Sequence, residues 1–380
     1  MKTKRIRLLA LPLTVLLLLG GLVSCKKETK LASRGQIIVF AAEDSILPVE
    51  IAHARETAKL FADPRTLVVQ RVSGDALTDS AALAELVEKV FDAQSASGTI
   101  HGVVFAQGFT GASSAANWFL RHHPEVRVAV CQPVTPHQGF ANTAVLVLDF
   151  DHAGMARAAA AQAKAMGADT FYFMTTTRTD RTPGAVQFRD TLKAECAALG
   201  LRYNDPEVRD LLTYGTDPAR AEIIQYVKRA EEESPGGKFA MYTTDRLANE
   251  HLAVELLRRK AVVPGLSGGS PLEGIPYALG LDMAGHAADA AYALTQGAAL
   301  AEQQGFAGSI AVWQASLPSL MLETAVRVVN ELESDAAPTQ KQVEAAFKAS
   351  LKAAGAKATI AKDDTQENMY RVLCELKGLG

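Results

Sequence analysis

The sequence alternates short apolar runs with longer amphipathic segments, and this alternation restricts the chain to a small set of folds. Residues 36–41 and 126–131 are mostly apolar, as expected of strands that are buried on both faces. Residues 80–97 place Leu83, Val87 and Phe91 at helical spacing. Because strands that alternate with helices form right-handed βαβ units, the pattern predicts an α/β fold with parallel sheets.

The alternation runs through four predicted strands, an open connection at 132–142 and a fifth predicted strand at 144–148, and it restarts after 149–152. Further strands are predicted at 170–174, 201–203, 239–243, 262–266, 277–281 and 309–313. A long alanine-rich helix is predicted at 283–304, followed after 313 by helices at 317–333 and 339–353, a short strand near 358–360 and a last helix. In a chain of 380 residues, the restart predicts two similar βα halves, each with its own core.

The first 25 residues have the layout of a secretory signal peptide. Four basic residues precede an apolar run at 8–23, and the sequence Leu22-Val23-Ser24-Cys25 follows. This tetrapeptide resembles the lipobox of bacterial lipoproteins. The resemblance implies that Cys25 becomes the mature N-terminus and carries lipid, that 26–35 is a tether, and that the protein is held in the cell envelope outside the cytoplasm. The alternatives are an ordinary secretion signal or a spanning helix, which requires roughly 20 apolar residues.

Charge and cysteine content narrow the possible partners. Loss of residues 1–25 removes four positive charges and changes the formal net charge from −3 to −7. A mildly acidic chain without a basic phosphate-binding surface is not expected to bind nucleic acid. With Cys25 lipidated, an odd set remains, and we expect Cys131, Cys196 and Cys374 to be buried free thiols. A disulfide between Cys196 and Cys374 is the alternative.

The order of elements from 36 to 314 resembles the type I periplasmic solute-binding proteins of ABC importers. The resemblance implies two Rossmann-like lobes with parallel sheets, joined by a three-strand hinge around a ligand cleft. It places the crossings between lobes near Asp149, Asp282 and Ser309. The N-terminal lobe would then comprise 36–148 plus 282–308, and the C-terminal lobe 149–281 plus 309–380. The segment 317–380 is longer than in the sugar binders of that family and resembles the tail-extended nucleoside-type lipoproteins or an uncharacterised family of such lipoproteins.

Ligands of parallel α/β sheets lie beyond the carboxyl ends of the strands, and this rule selects candidate ligand-binding residues. They supply carboxylates and amides for ligand hydroxyls or amines, and rings for stacking. The candidates are Glu43, Asp44, Gln107, Phe109, Thr110, Gln132, Asp149, Thr243, Asp245, Asp282 and Trp313. Alternative roles are helix capping for Thr110 and Asp245, and a hinge turn for Asp282.

Enzymatic motifs are weak in this sequence. Ser267 lies in a Gly-Leu-Ser-Gly-Gly pattern, but the helix required after a nucleophile elbow is not predicted there. The spacing of histidines and acids gives no metal site, and no phosphate-binding loop suggests a cofactor. We therefore expect a non-enzymatic monomer that captures a small polar solute and delivers it to an ABC permease. A ligand sensor that signals to a membrane receptor, or an extracytoplasmic enzyme, is the alternative. The sequence does not identify the ligand.

Overall fold

Fourteen strands, most of them parallel to their neighbours, organise the part of the chain that is described. The structure is a computed structural model that describes residues 30–234, 238–333 and 337–380. The predicted signal peptide 1–25 with the predicted lipidation site Cys25, and residues 26–29 of the predicted tether, lie outside the described residues. The strands are β1 Gln36–Ala42, β2 Leu67–Val72, β3 Ile100–Phe105, β4 Arg127–Cys131, β5 Leu146–Phe150, β6 Ala168–Thr176, β7 Arg202–Asn204, β8 Glu207–Val208, β9 Lys238–Thr243, β10 Val263–Pro264, β11 Ile310–Trp313, β12 Ala358–Lys362, β13 Met369–Cys374 and β14 Leu376–Gly378.

The helices alternate with these strands along most of the chain. They are α1 Pro48–Ala58, α2 Ser80–Ser95, α3 Ala112–His122, α4 His152–Ala165, α5 Pro183–Leu199, α6 Leu211–Tyr214, α7 Thr216–Glu233, α8 Asn249–Arg258, α9 Ile275–Leu279, α10 Ala290–Gln303, α11 Leu317–Glu331 and α12 Gln340–Ala354. Side-chain caps fix several helix starts: Asp79 accepts from two N–H groups of α2, and Thr339 forms a capping box with Gln342 at the start of α12. In the described part of the chain, no helix combines the length and apolarity needed to span a bilayer.

Seven strands form the first sheet, in the order β12-β13-β5-β4-β3-β1-β2. All neighbours are parallel except β12 and β13. One face packs against α1 and α11, and the other builds a core with α2 and α3 that includes the stacked pair Phe40 and Phe105. The α/β class with mostly parallel sheets is confirmed.

The second half is built around β6, which pairs in parallel with β7, β8 and β9. A bridge between Ala240 and Val262 joins β9 to the chain just before β10. Beyond it, β10 pairs in parallel with β11, and β11 pairs in antiparallel fashion with β14. The core of this half contains Met174, Ile223 and Leu252 and is separate from the first.

The chain passes between the sheets at three places, and two of them differ from the prediction. The first crossing follows β5 at Asp151, close to the predicted position at Asp149. Instead of crossing near Asp282 and Ser309, the chain crosses at 314–316, between β11 and α11, and at Glu375, between β13 and β14. The last two crossings touch, because the N–H of Gln314 donates to the carbonyl of Glu375 at 2.9 Å.

The assignment of the C-terminal segments to the two halves also differs from the predicted one. Helix α10, within 282–308, packs through Leu294 and Ala301 into the core of the second half. Helix α11, within 309–380, instead covers β3, β4 and β5, and β12 and β13 extend the first sheet. Side-chain burial is consistent with this placement, since Met369 and Val372 are buried where β13 pairs with β5.

Three local predictions are wrong for identifiable reasons. The strand predicted at 277–281 is the helix α9, with Pro276 in its first turn and Gly280 closing it at a φ of 70°. The helix predicted at 283–304 begins only at Ala290, because Asp289 caps it by accepting from the N–H of Tyr292 at 2.9 Å. The predicted final helix is replaced by β13 and β14.

Candidate functional site

A cavity of about 810 Å³ lies between the two halves, at the carboxyl ends of strands from both. Its volume is in the range of small-molecule sites. The first half contributes loops after β3, β4 and β5, and the second half contributes loops after β6, β8 and β9. The polar and charged side chains of the lining include Gln107, Thr110, Gln132, Thr135, Asp149, His152, Thr177, Arg178, Thr179, Asp210, Thr244, Asp245, Arg246 and Ser267.

Six of the sequence-selected residues line this cavity. They are Gln107, Phe109, Thr110, Gln132, Asp149 and Asp245. Asp245 also accepts from the N–H of Leu247 at 3.1 Å, so the capping role and the cavity position coincide in one side chain. Thr110 lines the cavity just before α3, whose N-cap is Gly111.

The other five sequence-selected residues do not line the cavity. Asp44 is exposed and pairs with Arg71 at 3.1 Å, and Glu43 lies beside it in the turn after β1. Thr243 is buried and accepts from the N–H of Asp245 at 3.1 Å.

Asp282 and Trp313 are directed elsewhere by local hydrogen bonds. Asp282 is exposed and accepts from the N–H of Ala284 at 2.9 Å. It therefore forms a turn, as the hinge-turn alternative expects, but the chain does not cross between the two halves at this turn. Trp313 is fully buried, and its Nε1–H donates to the carbonyl of Leu266 at 2.8 Å.

Two buried carboxylates hold Arg178 at the cavity wall. Its Nη2 donates to Oδ1 of Asp245 at 2.9 Å, and its Nε lies 4.0 Å from Oδ1 of Asp210. Burial raises the pKa of Asp210, but hydrogen bonds donated by Thr213 and Thr177 outweigh it and hold the pKa below its ordinary value. The guanidinium is therefore held in place by two carboxyl groups while 32% of its side-chain surface stays accessible.

Asp149 forms a second buried cluster with two histidines at the first crossing. Its Oδ2 accepts from Nε2 of His137 at 2.9 Å and lies 3.5 Å from Nε2 of His152. Its Oδ1 accepts from the N–H of Phe150 at 2.8 Å. Burial alone raises the pKa of Asp149, but His152 and His137 outweigh it, so the pKa lies well below its ordinary value.

Arg246 connects the two halves through a third cluster. Its Nη1 lies 2.6 Å from Oε1 of Glu50 on α1 and donates to Oε1 of Gln132 at 3.1 Å. Its Nε donates to Oε2 of Glu273 at 3.0 Å, and its Nη2 contacts the other oxygen of Glu273. Burial raises the pKa of Glu50 despite the nearby guanidinium, and burial together with Arg246 lowers the pKa of His53 to about 3.

Apolar surface completes the cavity. Phe109, Phe150, Phe188 and Tyr242 line it, and the rings of Phe188 and Tyr242 stack with centroids 4.5 Å apart. Flat apolar surfaces beside fixed hydrogen-bonding groups are typical of sites for small polar molecules with an apolar face.

Several charged residues of the site were not selected from the sequence. Arg178 and Arg246 directly follow the ends of β6 and β9, so a consistent use of the strand-end rule would have included them. Glu50 lies in the first turn of α1 and Glu273 in a loop before α9, and no local pattern distinguishes them from surface acids. His137 reaches Asp149 from the open connection 132–142 only through the tertiary fold.

The cysteines and the possible metal ligands are the remaining side chains that could carry chemistry. Cys131, Cys196 and Cys374 are buried free thiols. Within residues 30–234, 238–333 and 337–380, no group of three or more histidine, cysteine or acidic side chains is arranged to hold a metal ion.

Comparison with solved structures places this fold among known ones. A protein from Clostridium difficile 630, provisionally assigned as a transcriptional regulator, aligns with a TM-score of 0.71 at 14% identity, covering 92% of this chain and 100% of the other. An ABC transporter solute-binding protein from Clostridium phytofermentans with bound L-rhamnose aligns at 0.51 and 10% identity, covering 92% and 96%. A periplasmic ribose ABC transporter protein from Conexibacter woesei DSM 14684 aligns at 0.52 and 12% identity, covering 82% and 90%. At these identities the likeness establishes the type I periplasmic-binding-protein fold.

Sequence comparisons are less informative. A search of curated protein sequences found no significant match. A family profile described as protein of unknown function (DUF3798) matches residues 85–311, which is more than half of the chain. The chain therefore belongs to the protein family of unknown function DUF3798.

Proposed function

We propose that this protein binds a small polar solute in the cavity between its two halves. One observation carries the proposal: the cavity wall holds polar atoms that lack a protein partner. Within the described residues, Oε1 of Gln107 and Oγ1 of Thr135 have no hydrogen-bond partner, although both are shielded from bulk solvent. Buried polar groups are normally satisfied, so a hydroxyl or amine of a bound solute is the expected partner. Arg178 also lines the cavity and offers further N–H donors.

The two halves serve as lobes that close on the solute. The corrected division assigns 36–150 and 317–374 to one lobe, and 152–313 and 376–380 to the other. Three short connections, at Asp151, 314–316 and Glu375, then form the hinge. The contacts of Arg246 with Glu50 and Gln132 join the lobes and would break on opening.

Transport is the role that the sequence and the fold support together. Cys25 follows a secretory signal and carries lipid, which holds the protein on the outer face of a membrane. The rhamnose-bound and ribose proteins that share the fold belong to ABC transporters. The bound solute is accordingly handed to an ABC permease.

The protein acts by binding, without turnover. Ser267, the serine of the Gly-x-Ser-x-Gly pattern, donates its hydroxyl to Oδ1 of Asn249 at 2.9 Å, and so has an amide where a nucleophile would need a base. The cavity histidine His152 faces Asp149.

A ligand sensor is the second candidate. The similarity in fold to a provisionally assigned transcriptional regulator supports it, because binding in such a protein reports the presence of a solute. Copurification from detergent-solubilised membranes separates the two roles: an ABC permease as the partner supports transport, and a receptor supports sensing.

Solute binding is tested by mass spectrometry of small molecules released from the natively purified protein, followed by thermal unfolding with each candidate. A solute at 100 times its dissociation constant stabilises the protein by about 2.7 kcal/mol. The variant Arg178→Gln should lose this stabilisation, whereas Arg189→Gln, on α5 and outside the cavity lining, should retain it. Absence of any released molecule together with no shift from a broad metabolite panel would reject the proposal.

A further inference from the structure

Positive charge is concentrated in one short segment near the end of the chain. Residues 337–362 contain five lysines and one glutamate, whereas the rest of the chain after Ser24 has a formal net charge of −11. The lysines are Lys341, Lys348, Lys352, Lys357 and Lys362. Within the described residues none of the five forms an ion pair. The segment is therefore a basic surface on an otherwise acidic protein.

Helix α12 arranges three of these lysines in a row. Lys341, Lys348 and Lys352 are separated by seven and four positions, which places them on one face of a helix about 22 Å long. The opposite face is buried against α11 through residues such as Val343 and Phe347. The three side chains, here called the lysine row, are exposed to solvent.

One acid shares the exposed face of α12. Glu344 accepts a hydrogen bond from Nε2 of Gln340 at 2.7 Å. It balances one charge of the lysine row, while Lys357 in the following turn and Lys362 at the end of β12 add two more. The surface therefore stays strongly positive along its length.

Helix α12, which carries the lysine row, packs against α11, and the end of α11 contacts Arg34, where the chain enters the folded body. The N–H of Arg34 donates to Oδ1 of Asn330 at the end of α11, and α12 follows α11 after one short connection. Eight residues, 26–33, separate Cys25 from Arg34, and an extended chain of that length spans at most about 28 Å. A lipid on Cys25 would thus keep α12 close to a bilayer.

We propose that the lysine row of α12 rests on anionic lipid headgroups of the membrane to which Cys25 is anchored; this inference depends on the proposed anchoring. Each lysine near an anionic bilayer increases partitioning onto its surface about fivefold, so three lysines together increase partitioning on the order of a hundredfold. Because the side chains are exposed, the attraction is screened by salt. The contact orients the body on the membrane, which a lipid on Cys25 alone does not.

The test uses the full lipidated protein reconstituted into vesicles of phosphatidylcholine alone, or of phosphatidylcholine with phosphatidylglycerol. An amine-reactive reagent that does not cross membranes modifies accessible lysines, and peptide mass spectrometry reads each site. Lys89, Lys164 and Lys193 are exposed helical lysines without ion pairs in the described part of the chain and serve as internal references. We expect the lysine row, together with Lys357 and Lys362, to react on the order of tenfold more slowly in phosphatidylglycerol vesicles at low salt, with the references unchanged.

Charge-reversal variants separate a specific contact from general attraction. K341E/K348E/K352E should abolish the protection of Lys357 and Lys362, whereas K89E/K164E/K193E, with the same change in net charge, should retain it. Equal reactivity of the lysine row in both kinds of vesicle, or equal protection of all lysines, overturns the inference while leaving solute binding and anchoring in place. If the N-terminal peptide shows Cys25 without an acyl chain, the anchoring fails and this inference falls with it.

Discussion

Replacement of Arg246 by methionine (R246M) leaves two buried carboxylates without their shared counter-charge. Glu50 is 1% exposed and Glu273 is 9% exposed, so water cannot replace the guanidinium. Removal of one partner from a buried ion pair costs about 3–5 kcal/mol. Protonation offers relief, but at pH 7 it costs about 3.7 kcal/mol for a carboxyl with an ordinary pKa near 4.3. We expect R246M to lower the free energy of unfolding at pH 7 by about 3–5 kcal/mol.

The same reasoning fixes the pH dependence of this loss. At pH 5, protonation of one carboxyl costs only about 1 kcal/mol, so the loss caused by R246M should shrink by about 2.7 kcal/mol. Urea unfolding at both pH values, monitored by tryptophan fluorescence, measures how much stability R246M loses at each pH. The control R202M breaks a surface pair with Asp169 at 3.3 Å and should cost less than about 1 kcal/mol. A loss from R246M below about 1 kcal/mol, or an equal loss at both pH values, would refute the argument.

Three further substitutions test separate parts of the structure. A Cβ on Gly102 would lie 2.1 Å from Cγ1 of Val329, so Gly102→Ala should destabilise by about 1–3 kcal/mol in urea unfolding, whereas Gly98→Ala, with its nearest contact at 3.7 Å, should be neutral. Asp149 has a lowered pKa, so the stabilisation it provides is present above the unfolded pKa near 3.9 and is lost as the pH falls. In Asp149→Asn, the free energy of unfolding should therefore fall less steeply with decreasing pH than in the wild type, and an equally steep fall would contradict this. Glu50 has a raised pKa, so the stability it contributes is complete at low pH and is lost as the pH rises through the pKa of the folded state. The difference in free energy of unfolding between Glu50→Gln and the wild type should therefore shift in favour of the variant from pH 4 to pH 7 in the same assay.

The sequence predicted the helix and strand order well where hydrophobic periodicity is strong. The predicted strand at 36–41 and the predicted helix at 80–97 lie within two residues of β1 and α2 at either end. Strands that are buried on both faces can be recognised by a continuous apolar run, and helices can be recognised by regularly spaced apolar residues. Prediction failed at 277–281, where Pro276 and Gly280 enclose a single helical turn whose five residues are too few for a period to appear.

Lobe membership and the charged clusters depend on tertiary contacts that no local pattern contains. Nothing in the residues of β13 indicates that its neighbour is β5 rather than a strand of the second half. Likewise, Glu50 reaches Arg246 across almost two hundred residues of sequence. The strand-end rule brought six of eleven candidates to the cavity, because it depends on sheet geometry and not on pairing partners.

The late position of β13 and β14 constrains how the protein is made. During synthesis these two strands emerge after all the other described strands, yet β13 lies inside the first sheet between β5 and β12, and β14 pairs with β11 in the second half. Neither half can complete its sheet before they emerge, and pairings between such distant segments form slowly. Both sheets of a nascent chain therefore stay incomplete until β13 and β14 have been synthesised.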